Sequence, residues 1–302
     1  KSFLKLVEDN NRIEPVEIYT ENSLGKTAEP GNLFCPGPGI SDLAWKREFF
    51  GRMNWSLCGI THTTASQSVM DSVAEYLTAP IQPWDCLICT SHAVRENIHQ
   101  ILHHQSEYLI QRLGVRQIIL PQTPVIPLGV HVNELHFSRD QHNEARQRIG
   151  VNPDEIVVLY LGRLSFHAKA HPLTMYQALE ETVAETGKKI VLVECGWYDN
   201  DFIKQAFDEA AEHVAPSVRR HFLDGRIPQN RKTAWACADI FCSFSDNVQE
   251  TFGITPVEAM AAGLPMIISD WNGYRDSVQD GVQGFLIPTA MPARGFGQTL
   301  AL

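Results

Sequence analysis

Two glutamates, Glu250 and Glu258, stand with seven residues between them in the stretch ETFGITPVEAMAAGLPMI. A separate stretch, LYLGRLSFHAKA, carries Arg163 and Lys169 behind a glycine. A carboxylate accepts hydrogen bonds from hydroxyl groups and repels phosphate, whereas a guanidinium or ammonium group binds phosphate oxygens. Together the four side chains suit a ligand with hydroxyls on either side of a diphosphate, and the cations could neutralise a departing phosphate. Plainer uses exist. Thr255-Pro256-Val257-Glu258 fits a capping box, with Thr255 as N-cap and Pro256 at the first helical position. Arg163 and Lys169 also read as solvated surface cations. His62, in WSLCGITHTTASQS, follows an apolar run. An imidazole there could position a second reactant or stabilise developing positive charge; it could equally be satisfied within its own loop.

Such residues converge only if strands deliver them. From Val151 onward, short apolar β-branched runs alternate with segments of helical period, which predicts a parallel sheet wrapped by helices. Strands are expected at 156–161, 190–194, 219–223, 239–244 and 264–268, with helices at 172–186, 201–213, 229–237 and 256–262. In an open α/β sheet, ligands lie beyond the carboxyl ends of the strands, where helix amino termini present free N–H groups to anions. Arg163 and Glu250 both follow a predicted strand. The first half repeats the alternation more loosely, with strands near 16–19, 55–61, 85–89 and 117–120 and helices near 41–52, 67–78 and 92–113. Ser91 can cap the last of these helices and Gly114 can end it. The Pro-rich stretch PQTPVIPLGVHVNEL reads as a link. The expected division is therefore 1–130 and 131–302, with a first domain that is incomplete, because residues 1–15 open on a polar helix-like piece with no strand before it.

A chain of 302 residues, 44% hydrophobic and 20% charged, can bury two cores. Its formal net charge of −10 and lack of any Lys/Arg run argue against nucleic acid as a partner. No apolar run reaches membrane-spanning length and no signal-peptide pattern opens the chain, so a cytoplasmic protein is expected. Seven cysteines in apolar, strand-like segments suit reduced, buried thiols without disulfides. Several weaker signals are set aside. Asp199-Asn200-Asp201 has the form of a divalent-metal chelate, yet a polar loop entering a helix is the favoured reading. Cys86 and Cys89 form one CxxC with no partner pair, and His99 and His103 share a helix face with no third ligand. NSLGKT has Thr20 where a phosphate-binding loop needs its first glycine, and Gly37-Pro38-Gly39 lacks the third glycine of a dinucleotide fingerprint.

The paired-glutamate stretch, together with LYLGRLSFHAKA, VIPLGVHVNEL and DCLICTSHAVRENI, resembles the family 4 retaining glycosyltransferases across about residues 55–290. The resemblance implies the glycosyltransferase-B architecture, two Rossmann-like domains facing each other across a cleft. It implies a metal-independent transfer, with retention, from a UDP- or GDP-linked sugar to a carbohydrate or lipid-linked acceptor. No cofactor is needed, and the amino-terminal part could touch a membrane surface. By the same resemblance Glu258 holds the ribose hydroxyls and Glu250 the transferred sugar. Phe252, Gly253 and Ile254 lie near sugar and phosphate, Arg163 and Lys169 bind the diphosphate, Ile227 lies near the base, and His62 stands beside the donor sugar as a catalytic residue with Glu250. The family's glycine-rich loop after the first strand is not visible here. The alternatives are a non-catalytic sugar-nucleotide-binding protein of the same fold, or a metal-dependent transferase using Asp199 and Asp201.

Overall fold

The structure, a computed structural model, describes residues 3–12, 21–248 and 250–290. The expected strand near 16–19 lies outside them, as does Thr20. The first half runs α1 (Phe3–Asp9), a 3-10 segment (Glu21–Ala28), β1 (Asn32–Phe34), α2 (Ser41–Glu48), β2 (Ser56–Ile60), α3 (Gln67–Ala74) extended by a 3-10 turn, β3 (Cys86–Ile88) and α4 (His92–Leu113). Its three strands are parallel in the order β1-β2-β3. Leu57 and Leu87 on the covered face pack against Val73, Ile98 and Leu102. Arg47 and Asp85, both fully buried, meet at 2.7 and 2.8 Å and tie α2 to the amino ends of β2 and β3. Asp85 also accepts from the Leu57 and Gln82 amides, so neither charge is left uncompensated.

Two expectations for this half need correction. Residues 117–120 form no strand, and Ile119 and Leu120 stay largely exposed. Pairing with β3 falls later, where the Leu87 and Cys89 amides donate to the carbonyls of Gln122 and Pro124. Pro121 and Pro124 have no N–H to return, so only isolated bridges form. The helix expected over 41–52 ends at Glu48, followed by Gly51 at φ +116.

The second half comprises α5 (Val132–Leu135), α6 (Arg139–Arg148), β4 (Glu155–Leu161), α7 (Leu173–Thr186), β5 (Lys189–Gly196), α8 (Asp201–Val214), β6 (Arg219–Asp224), α9 (Pro228–Cys237), β7 (Ile240–Ser243), α10 (Ile254–Ala261), β8 (Met266–Asp270), α11 (Tyr274–Ser277) and β9 (Gly284–Pro288). The six parallel strands take the order β6-β5-β4-β7-β8-β9. Their apolar runs arise from burial on both faces. Val157, Val191 and Phe241 face Trp235 of α9 and Ala259 of α10, whereas Val158 and Leu192 face Tyr176 of α7 and Phe207 of α8. Helix α6 was not expected, because its sequence is polar and only Ala145 and Arg146 are buried. Its signal was the capping box of Ser138 and Gln141, which the structure forms.

The strand order reverses between β4 and β7, so a crevice opens beyond their carboxyl ends. All seven cysteines are free thiols, and burial pushes those of Cys195 and Cys242 up to about 11 and about 12. Among the described residues no helix is long and apolar enough to cross a membrane.

Candidate functional site

Three strand ends build the floor of the crevice from bare backbone. The Gly162 amide donates to the Cys195 carbonyl at 3.0 Å and the Gly225 amide to the Gly196 carbonyl at 2.8 Å. A Cβ on Gly196 would stand 1.9 Å from the Gly162 oxygen, so only glycine allows β4 and β5 to end this close together. Arg163 follows directly. Its guanidinium is half-buried with no hydrogen-bonding partner among the described residues, while the Tyr160 hydroxyl holds its carbonyl at 3.1 Å. The expected cation is thus in place and unspent.

Lys169 reaches across to Glu250, Nζ to Oε2 at 2.9 Å, with side-chain exposures of 32% and 11%. Ser245, beyond β7, lies 3.4 Å from the same carboxylate oxygen and donates to the Lys169 carbonyl at 3.4 Å. The structure therefore brings Lys169 and Glu250 into one cluster, joined to each other. The loop that carries Glu250 is held by the turn after β8: Trp271 Nε1 donates to the Asn247 carbonyl at 3.0 Å and Asn272 Nδ2 to the Glu250 carbonyl at 2.7 Å.

Glu258 lies on α10, and the capping-box expectation fails there. The helix begins at Ile254, with Gly253 at φ +75 as N-cap and no side-chain cap, so Thr255 and Pro256 sit inside the first turn. A Cβ on Gly253 would meet Tyr274 Cε1 at 1.9 Å, which explains the glycine, and the helix starts two residues earlier than the motif suggests. The first amides of α10 are left without side-chain caps. Among the described residues Glu258 accepts only from Arg231, at 3.3 Å to Oε1, and its buried Oε2 has no partner. Burial raises its carboxyl above the usual range, and Arg231 opposes the rise. The side chain lines an open cleft of about 1040 Å³ whose walls include Trp197, Gly225, Arg226, Arg231 and Ile254. Nucleotide-sized ligands fill clefts of this order.

The remaining predicted residues are placed as follows. Phe252 is buried and Ile254 is 40% exposed at the cleft. Ile227 caps α9 between residues that line the same cleft. His62, exposed in the first half, donates from Nε2 to the Pro36 carbonyl at 2.9 Å, leaving Nδ1 as an acceptor when the ring is neutral. Its own carbonyl accepts from Thr251 Oγ1 at 3.2 Å, which brings it beside the Glu250 loop. A second link joins the halves there: Ser91 Oγ, already the cap of α4, donates to the Thr251 carbonyl at 2.7 Å. Asn200 spends its side chain capping α8, with Asp201 in the first turn, and neither aspartate lines the cleft. Sequence reasoning missed Ser245, Trp197, Arg231 and Asn272. The Asn272-Gly273 pair is a readable turn signal, but nothing in it points to Glu250.

Comparison with known proteins follows this geometry. Residues 141–294 match the family described as glycosyl transferases group 1, just over half of the chain. A D-inositol 3-phosphate glycosyltransferase of Nocardia farcinica is 28% identical over 165 residues, 54% of this chain and 36% of that protein. A phosphatidyl-myo-inositol mannosyltransferase of Mycobacterium leprae is 31% identical over 164 residues, 54% of this chain and 39% of the relative. The matched stretch thus spans well under half the length of these relatives. HepE of Anabaena, solved in complex with UDP, superimposes with a TM-score of 0.65 at 20% identity, over 95% of this chain and 75% of that one. The fold is thus the two-domain Rossmann-like one expected.

Proposed function

Because this chain belongs to the glycosyl transferases group 1 family, we propose that it moves a sugar from a UDP- or GDP-linked donor to a hydroxyl acceptor, with retention and without a metal. The observation that carries this reading is Glu258: its side chain lines the open cleft near the uncapped amides of α10, and one of its oxygens is buried without a partner among the described residues. A nucleotide diphosphate answers both, its ribose hydroxyls donating to the carboxylate and its phosphates accepting from the amides. Arg163 and Lys169 take the remaining phosphate charge, and Glu250, released from Lys169, accepts from hydroxyls of the transferred sugar. Ile227 and its neighbours flank the base, and the backbone near Phe252, Gly253 and Ile254 flanks sugar and phosphate.

His62 approaches from the first half and steadies the reacting sugar. The acceptor hydroxyl attacks on the face from which the diphosphate leaves, and the departing phosphate takes its proton, so the new glycosidic bond keeps the old configuration. Leaving-group charge is neutralised by Arg163, Lys169 and helix amides. Residues 131–302 serve the donor and residues 1–130 the acceptor. The named relatives act on inositol phosphate and phosphatidylinositol, which supports a carbohydrate or lipid-linked acceptor, met by a cytoplasmic enzyme touching the membrane peripherally through its first half.

Incubation with UDP-glucose or GDP-mannose and an inositol-phosphate or phosphatidylinositol acceptor, in chelator, tests this. Product with the donor's anomeric configuration by NMR is expected. An inverted product, or activity restored only by a divalent metal, would contradict it.

A further inference from the structure

The segment 271–274 runs against the Glu250 loop residue by residue. Trp271 donates from its indole to the Asn247 carbonyl, which also accepts from the Glu250 amide at 3.0 Å. Asn272 donates to the Glu250 carbonyl at 2.7 Å. Gly273 touches the backbone of Thr251 and Phe252 so closely that a Cβ would stand 2.5 Å from the Phe252 Cα and the Thr251 oxygen. Tyr274 packs against Gly253. Four consecutive residues after β8 thus meet Asn247, Glu250, Thr251, Phe252 and Gly253 in order. Asn272 does this from φ +42, a left-handed conformation that asparagine tolerates and most side chains resist. A half-buried side chain held in that conformation, with its amide spent on one carbonyl, points to a function in the loop it holds. The same loop touches the diphosphate side of the site, since the Asn247 side chain donates to the His167 carbonyl at 2.7 Å, between Arg163 and Lys169.

We infer that Asn272, with Trp271, is a positioning residue that sets the Glu250 carboxylate for the transferred sugar. The inference rests on the reading of Glu250 as the sugar-binding carboxylate. Asn272 touches no ligand. It fixes the backbone carbonyl of Glu250, and so the direction from which the side chain enters the cleft. Without the tether the Glu250 carboxylate swings away from both Lys169 and the sugar's place, the sugar loses its acceptor, and the nucleotide end, held by Glu258 on α10, is unaffected.

The test uses Asn272→Gly, which keeps the left-handed turn and removes the amide, and Asn272→Asp, which keeps turn and size and turns an acceptor toward the carbonyl. Calorimetry with UDP, UDP-glucose, GDP and GDP-mannose gives the factor by which the sugar alters affinity. That factor is expected to fall about five- to tenfold in both variants, the loss of one well-placed hydrogen bond, while affinity for the bare nucleotide stays within about twofold. A crystal structure of Asn272→Gly should show Glu250 more than about 4 Å from Lys169 Nζ, outside ion-pair range. Sugar and nucleotide affinities falling by the same factor would make Asn272 a structural prop and overturn the inference. So would a sugar factor that is unchanged with Glu250 still 2.9 Å from Lys169. A wild-type chain that binds UDP or GDP but gains nothing from the sugar contradicts the Glu250 reading instead, and the variant's crystal structure then decides the tether alone.

Discussion

Glu250 and Glu258 are equally shielded, with side-chain exposures of 11% and 12%, yet their surroundings differ in kind. Glu250 sits on a loop braced by the turn after β8 and is paired with Lys169 at 2.9 Å. Glu258 sits on a regular helix, is held by Arg231 at 3.3 Å, and has one oxygen with no partner among the described residues. Burial alone therefore does not set the state of either carboxylate; the partners do. The charge of the loop carboxylate is balanced by Lys169, so on the proposed reading a diphosphate draws Lys169 away before Glu250 accepts from a sugar. The helix carboxylate carries a hydrogen-bonding capacity that no described residue meets.

The contrast can be broken at its hinge. Gly253 lies between the two glutamates, and Gly253→Ala drives a methyl into Tyr274 from a left-handed conformation. We expect a loss of about 3 kcal/mol or more by thermal or denaturant unfolding, together with loss of nucleotide binding. Lys169→Met removes the counter-ion from one glutamate only. Affinity for UDP or GDP should fall about tenfold by calorimetry, and unchanged affinity would restrict Lys169 to Glu250.

Glu258→Gln sharpens the comparison through stability. A carboxyl whose folded pKa is raised loses native stability as pH rises from its ordinary value through the raised one, and the cost persists above that window. The variant should therefore unfold at a higher temperature than wild type at pH 7, with the advantage vanishing near pH 4, while nucleotide affinity drops. The smallest effect is expected of Ser91→Ala, which removes the α4 cap and the bond to Thr251, at about 1 kcal/mol in denaturant unfolding.

Much of the second half was legible in the sequence because β4, β5 and β7 are buried on both faces and read as unbroken apolar runs. The loop after each strand then follows from the topology. The placement of Glu250, Arg163 and Lys169 after strands was legible for that reason, whereas Glu258 was singled out by the family resemblance against a local capping pattern. Its mistaken cap shows the limit: the Thr255-Glu258 pattern is genuine, but the contact of Gly253 with Tyr274, 21 positions later, sets where the helix begins. Helix α6 hid behind polarity, and 117–120 looked apolar enough for a strand while the prolines after it prevented a ladder. The tether from Asn272 was not legible, because a side chain donating to a backbone carbonyl 22 positions earlier leaves no local pattern.

The most direct test of the central claim, that a nucleotide diphosphate binds beyond the carboxyl ends of β4 to β7 with Glu258 as its hydroxyl acceptor, is calorimetric titration of UDP and GDP into the wild-type chain and Glu258→Ala in chelator. The account predicts binding of one nucleotide to the wild type that weakens at least about tenfold in the variant. Binding that is undiminished by the substitution, or absent from the wild type, would contradict it.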